Sequence, residues 1–204
     1  GFQSFPLIQS VDQFVPESQQ QLESSVMTVH QKHPRGNGLI QQYMLAEYRQ
    51  PKDFASLLYL SQVQQARGLK MAFDAHRRHK PYCMGTLYWQ FNDCWPAASW
   101  SGIDYYGRWK ALHYQAKASF KPVIPVIDAE QASINIYLVN DTLDDQSLTL
   151  EWTLQTFEGD VFANDSVAYT SSANQSELVI QLAAAEIVPD YLLNRLVLSV
   201  SVID

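Results

Sequence analysis

Two hydrophobic periods divide this sequence, and a chain that obeys both has to build two different kinds of structure. Across residues 54–73, Phe54, Leu57, Leu58, Val63, Ala66, Leu69, Ala72 and Phe73 recur at helical spacing, which puts them on one face of a long helix. From about residue 131 the period is two. Ile134, Ile136 and Leu138 alternate with polar residues. Leu148, Leu150, Trp152 and Leu154 do the same, with Thr149, Glu151 and Thr153 between them. Leu178, Ile180 and Leu182 repeat the pattern, and Leu196, Leu198 and Val200 follow. Turn formers at Asn140-Asp141, Asp144-Asp145 and Glu158-Gly159-Asp160 separate the runs. Short alternating strands so spaced predict an antiparallel sandwich.

The earlier part reads differently. Residues 1–50 are punctuated by Pro6, Pro16, Pro34, Gly36 and Gly38, leaving room for short helices at 17–30 and 37–49 only. Asp53, behind Pro51, is a good N-cap for the long helix, which has to stop before Pro81. Residues 82–91 then have the length and aromatic content of a buried strand. A loop of Pro, Ser and Gly leads to Gly107, and a second helix spans about 109–120, ending near Pro122. Helix, strand, loop, helix is the rhythm of an α/β fold such as a (β/α) barrel. Lys121-Pro122-Val123-Ile124-Pro125 reads as a linker, giving two domains, 1–121 and 122–204. One strand with two helices does not complete a parallel sheet, so residues 1–121 are expected to be the tail of a larger α/β domain.

Several function classes are disfavoured. The net charge is −7, which argues against a nucleic-acid surface. The one basic cluster, His76-Arg77-Arg78-His79-Lys80, falls where cations complement a helix dipole. No run approaches the ~18 apolar residues of a membrane span, and the first residues lack the basic start and apolar stretch of a signal peptide. Cys83 and Cys94 are too far apart along extended chain for a disulfide and are expected to be buried thiols. Sequons at Asn140, Asn164 and Asn174 lie in a Ser/Thr-rich region where chance accounts for most such matches. The pairs His30/His33 and His76/His79 lack the third ligand of a zinc helix. Neither a G-x-S-x-G elbow nor a Gly-rich phosphate loop is present. No cofactor or metal is expected.

The chemistry concentrates in L-Y-W-Q-F-N-D-C-W-P, residues 87–96. In a barrel the C-terminal ends of strands face the active site, and Trp89 sits near such an end, with Asn92, Asp93 and Trp95 just beyond. Indole faces bind the CH face of a sugar, and Asn and Asp side chains bind its hydroxyls. That mixture suits a carbohydrate better than a phosphate or an acyl chain. Loop-capping is the other reading of Asn92 and Asp93, since both residue types readily bond nearby backbone. Trp95 either lines the rim or packs beneath the loop. Packing is the expectation for Trp100, Trp109 and Trp152. Glu17, Glu23, Glu47, Asp74, Asp104 and Asp128 do not pair up at a predicted strand end.

The run G-T-L-Y-W-Q-F-N-D-C-W-P-A-A-S-W-S-G-I-D-Y-Y-G-R-W-K-A-L-H-Y, residues 85–114, resembles the eighth strand, loop and helix of the β-mannosidases of glycoside hydrolase family 2. G-F-Q-S-F-P, residues 1–6, is similar to the segment after the nucleophile in those enzymes, where the pattern reads S-E-F/Y-G-F-Q-S-F-P. H-P-R-G-N-G at 33–38 and S-Q-V-Q-Q-A at 61–66 also fit. The resemblance is close over residues 1–121; after 122 it is one of position and type. It implies the C-terminal part of a (β/α)8 TIM barrel followed by an immunoglobulin-like β-sandwich. It also implies a retaining exo-hydrolase of terminal β-linked mannose, with a β-mannoside oligosaccharide or glycan as substrate. In the family pattern the nucleophilic Glu falls two residues ahead of Gly1 and the acid/base Glu on an earlier strand, so no catalytic residue is expected in this chain. Trp89 matches the tryptophan that forms a floor under the sugar, usually through a non-proline cis peptide to the next residue, here Gln90. Asn92, Asp93 and Trp95 are the further substrate-binding candidates. A related family 2 glycosidase (β-galactosidase, β-glucuronidase or exo-β-glucosaminidase) is the alternative within the family; W-Q-F-N-D-C-W-P favours mannosidase. A non-catalytic sugar-binding or structural module is the alternative outside it.

Overall fold

The computed structural model describes residues 2–129, 133–188 and 195–203; Gly1 of the opening motif and residue 131, where the period changes, lie outside them. The chain forms two compact units, Gly1–Phe73 with Leu87–Phe120, and Asp74–Thr86 with Lys121–Asp204.

The first unit is helical. It contains α1 (Ile8–Val11), a 3-10 turn (Glu17–Gln19), α2 (Ser25–Val29), α3 (Gly36–Glu47), most of α4 (Phe54–Arg78) and α5 (Ala111–Ser119). Asp53 caps α4, its Oδ1 accepting the Ser56 amide at 2.7 Å. The hydrogen bonds from Ser56 hold its carboxyl below the usual range. The predicted helix at 17–30 is broken into the 3-10 turn and α2, and Ser24 caps α2 by accepting the Met27 amide at 3.2 Å. The core gathers Phe5, Val11, Val15, Leu22, Met27, Ile40, Leu58 and Ala98, with Phe73, Leu112 and Ala116 in a smaller cluster. Polar residues on α4 are buried with it. Ser61 Oγ accepts the Phe5 amide at 3.1 Å, and Gln65 exchanges bonds with the Ser4 hydroxyl (2.7 Å) and the Phe2 carbonyl (3.0 Å). S-Q-V-Q-Q-A is therefore the strip that straps the opening segment down.

Two expectations for the first half are corrected. Residues 82–91 form no strand, and no barrel is present in this chain. Leu87 is 98% exposed, and Tyr82 and Phe91 are exposed too. A strand exists only through a ladder, and among the described residues no ladder forms along this run; its backbone bonds to the rest of the loop are isolated ones at Gln90 and Phe91. The cysteines are not buried thiols. Cys94 is exposed, and half-buried Cys83 donates its thiol to the Gly85 carbonyl at 3.3 Å. Without a sheet around the run, no interior exists for either of them.

Where α5 begins, a cation is shut away from water. Lys110 is fully buried, and its Nζ reaches the Ser4 carbonyl (3.3 Å), the Ser99 carbonyl (3.3 Å) and Ser101 Oγ (3.4 Å). Ser4 and Ser99 also exchange amide–carbonyl bonds at 2.9 and 3.1 Å. Burial pushes the Lys110 ammonium down to about 8, against the opposing pull of the Asp93 and Asp104 carboxylates.

The second unit is the predicted sandwich. One sheet has the order β1 (Val123–Ala129), β2 (Ser133–Asn140), β5 (Gln175–Ala183). The other has β4 (Val161–Ser171), β3 (Gln146–Thr156), β6 (Leu196–Ile203), and all described pairings are antiparallel. A four-residue helix, α6 (Ala184–Ile187), follows β5. Ile136, Leu138, Leu148, Leu150, Trp152, Leu154 and Ile180 form the core. The segment read as a linker is strand β1. Pro125 is tolerated because β1 is an edge strand. The alternation misplaces Leu178, which is 46% exposed. The register shifts beside it, Ile136 facing Ile180 and Tyr137 facing Leu178, so Val179 is the extra residue of a bulge. The basic cluster belongs to this unit as well. Arg77, buried, donates to Asp141 Oδ2 at 2.7 Å; Lys80 pairs with the other oxygen of Asp141; Arg78 pairs with Asp128 and lies over the Tyr137 ring.

Asp141→Ala is expected to lower the stability of the sandwich by about 2 kcal/mol, because it removes charge-assisted bonds to a buried guanidinium. Urea unfolding followed at the Trp152 indole by NMR measures it, and Asp160→Ala on an exposed turn is the control. Lys110 makes a second prediction. Between pH 8 and pH 10.5 the unfolded chain keeps a proton that the folded chain releases, so this residue's contribution to stability increases with pH across that window. The unfolding free energy of the unmodified chain minus that of Lys110→Met should climb from pH 8 to 10.5 and be flat below. A flat difference throughout would mean the ammonium is not depressed.

Candidate functional site

The loop between Trp89 and Asp104 is built without regular secondary structure, by bonds from the chain to itself. The Gln90 amide donates to the Trp100 carbonyl at 3.1 Å, the Gly102 amide to the Gln90 carbonyl at 3.0 Å and the Ile103 amide to the Phe91 carbonyl at 2.9 Å. The Lys110 amide donates to the Gly102 carbonyl at 2.9 Å, joining the loop to the start of α5. The Trp89–Gln90 peptide is cis, the geometry the family resemblance implies.

The four candidate residues have different fates. Trp89 is 73% exposed and Asn92 is exposed. Asp93 is 4% exposed and faces inward. Its Oδ2 accepts the Ser99 and Ser101 hydroxyls at 2.8 and 2.6 Å, and its Oδ1 accepts Gln90 Nε2 at 3.1 Å. Those bonds join side chains within the loop and are not the bonds to nearby backbone that loop-capping would make. Trp95 is half-buried against His30 (ring centroids 4.9 Å apart), which rests on Phe14 (4.5 Å) and whose Nδ1 meets the Pro96 carbonyl at 2.7 Å. Lys32 Nζ lies 4.9 Å above the Trp95 ring. The loop thus presents two aromatic rings, Trp89 and Phe91, and the Asn92 amide outward, and keeps the Asp93 carboxylate inside.

Three residues were not singled out beforehand: Ser99, Ser101 and Lys110. A serine or a lysine carries no sequence mark of burial, and Lys110 stands in a stretch of polar and aromatic residues that reads as surface. Asp104 is likewise committed to structure. Its Oδ1 accepts the Tyr106 and Arg108 amides, each at 3.0 Å, and its Oδ2 accepts the Ser10 hydroxyl. Trp109 packs edge-on against His113 and Tyr114 and lines an apolar cavity of about 430 Å³ with Leu7, Ile8, Leu58 and Tyr59. Among the described residues no group of three or more His, Cys, Asp or Glu is placed to hold a metal ion, and no helix is long and apolar enough to cross a membrane. An exposed indole beside an amide can bind a sugar ring. Glycoside cleavage needs two opposed carboxylates, and the two carboxylates of this loop, Asp93 and Asp104, are both consumed by internal bonds.

Comparisons with known proteins bear on the family. Residues 132–204 match the family model of the mannosidase Ig/CBM-like domain. The chain is 35% identical over 164 residues to a goat (Capra hircus) β-mannosidase, covering 74% of this chain and 18% of that protein. It is 28% identical over 232 residues to β-mannosidase A of Aspergillus fumigatus, covering 98% of this chain and 25% of the relative. The crystal structure of a β-D-mannosidase from Dictyoglomus thermophilum superposes with a TM-score of 0.91 at 28% identity, over 99% of this chain and 24% of that one. An exo-chitosanase of Amycolatopsis orientalis has a TM-score of 0.79 at 17% identity, over 99% and 25% of the two chains, a likeness of fold alone. The chain spans 18% of the length of the first of these relatives. Taken with the motifs of residues 85–114 and the sandwich that follows, these likenesses place the chain in the β-mannosidase family of glycoside hydrolase family 2.

Proposed function

We propose that this chain supplies the sugar-facing aromatic wall of a retaining exo-β-mannosidase, an O-glycosyl hydrolase that removes terminal β-linked mannose from oligosaccharides or glycans. In this reading the helical unit belongs to a (β/α)8 catalytic domain and the exposed apolar residues of 82–91 pair there. Trp89 is the floor against which the CH face of the mannose stacks, and Asn92 offers hydrogen bonds to its hydroxyls. Asp93 serves from beneath by holding the loop, and Trp95 braces the rim. The observation that carries the proposal is the exposed Trp89 ring on a loop whose own carboxylates are occupied, in a chain 35% identical to a β-mannosidase. A retaining mechanism needs a nucleophile and an acid/base carboxyl about 5–5.5 Å apart, and the family resemblance assigns neither to a residue of this sequence.

The purified chain is accordingly expected not to hydrolyse an aryl β-mannoside above a buffer blank; turnover would overturn the assignment of both carboxylates. In the longer enzyme, Trp89→Ala should lower kcat/KM on that substrate about 100-fold, or about 2.7 kcal/mol at 1.36 kcal/mol per decade. A panel of aryl β-galactoside, β-glucuronide and β-glucosaminide tests the sugar, and preference for any of these over the mannoside would reassign the substrate.

A further inference from the structure

The Trp89 ring has a problem that its exposure makes acute. With 73% of the residue in solvent, it has little side-chain packing to fix its direction, and an indole that swings freely loses entropy when a sugar docks on it. Its aim has to come from the backbone it stands on. The next residue, Gln90, is held on three sides: its amide by the Trp100 carbonyl (3.1 Å), its carbonyl by the Gly102 amide (3.0 Å), and its side-chain Nε2 by the Asn92 carbonyl (2.9 Å) and Asp93 Oδ1 (3.1 Å). Asp93 is fixed in turn by Ser99 and Ser101, and Lys110 Nζ stands 3.4 Å from Ser101 Oγ and 3.3 Å from the Ser99 carbonyl. From Lys110 through Ser101 and Asp93 to Gln90 each link is a hydrogen bond of 3.4 Å or less. The path ends one residue from the exposed ring.

We propose that Lys110, Asp93 and Gln90 form a positioning relay that sets the direction of the Trp89 ring: the buried ammonium fixes the serine pair, the pair fixes the Asp93 carboxylate, and that carboxylate fixes the Gln90 side chain. None of the three touches the sugar in this scheme. The inference rests on the reading of Trp89 as the sugar floor, but its first test does not. Gln90→Leu cuts the relay at its outer end and leaves the buried Asp93 and Lys110 in place. In the full chain with 15N-labelled tryptophan, the Trp89 indole signal is identified by its loss in Trp89→Phe. Gln90→Leu is expected to raise the fast motion of that indole, with a clear drop in its heteronuclear NOE, while the Trp152 signal is unchanged. Lys110→Met, paired with Asp93→Asn to avoid stranding a buried charge, should do the same from the inner end. If that pair does not fold, Gln90→Leu decides alone. An unaltered NOE in a folded Gln90→Leu chain overturns the relay.

The second test is a double-mutant cycle in the longer enzyme. Gln90→Leu should lower kcat/KM about 10-fold with Trp89 present and less than about 2-fold in the Trp89→Ala background, because a residue acting through the ring has nothing left to act on. Equal losses in both backgrounds overturn the relay and leave only a structural role. Full activity in Trp89→Ala, with the NOE drop still seen, overturns the sugar floor and supports the relay.

Discussion

A lysine ammonium removed from water is the constraint on which the helical unit depends. Stripping an ammonium of its hydration costs several kcal/mol even after a protein relaxes around it, and Lys110 keeps none of its surface. What offsets that cost determines what has to be nearby. Two carbonyls come from segments far apart in sequence, Ser4 and Ser99, and a hydroxyl from Ser101. Asp93 and Asp104 supply the opposite charge. The opening segment, the 89–104 loop and the start of α5 therefore cannot be placed independently. Removing either side chain alone would leave a buried charge short of its counterpart, so the pieces are fixed together or not at all.

That arrangement marks the limit of what the sequence made legible. Residues 54–73 advertised α4 because an amphipathic face repeats visibly, and Asp53 advertised its start because a cap is a local event. β2, β3 and β6 were equally plain from their alternation. β1 was hidden by Pro125, which reads as punctuation unless its strand is known to lie on an edge. β4 was hidden by Asn164, Asp165 and Ser166, since an edge strand can carry polar residues that a central one could not. Leu178 was misplaced by a bulge, which inserts one residue and changes the phase of the pattern without altering its composition. In each case the missing information was which neighbour a segment has, and a one-dimensional pattern does not carry it.

Residues 82–91 are the sharpest instance. Their apolar character is that of a sheet interior, and Leu87 and Phe91 are exposed all the same. Hydrophobicity states what a segment would prefer to be beside; it does not provide the neighbour. The exposure of Cys94 and the half-burial of Cys83 have the same cause, because the strand they would flank is not formed among the described residues.

Trp89 and Trp95 show how such neighbours divide labour within one motif. Both are tryptophans, six residues apart, with sequence surroundings that invite the same reading. His30 stacks under Trp95, Lys32 stands over it, and Phe14 backs the stack, so this indole is spent on structure. Trp89 has no comparable stack among the described aromatic contacts, and its face stays available. The sorting continues in the polar residues between them: Asn92 stays outside while Asp93 turns inward to the serines. A carboxylate placed outward here would be hydrated and mobile, and Gln90 would lose one of its anchors. Turned inward, it gives the loop a fixed frame. For the proposed sugar floor such a frame matters more than a second polar neighbour, since stacking on a sugar face depends on the angle of the plane. The inward Asp93 and the outward Trp89 are thus two halves of one solution, in which the dry side of the loop sets the geometry that the wet side presents.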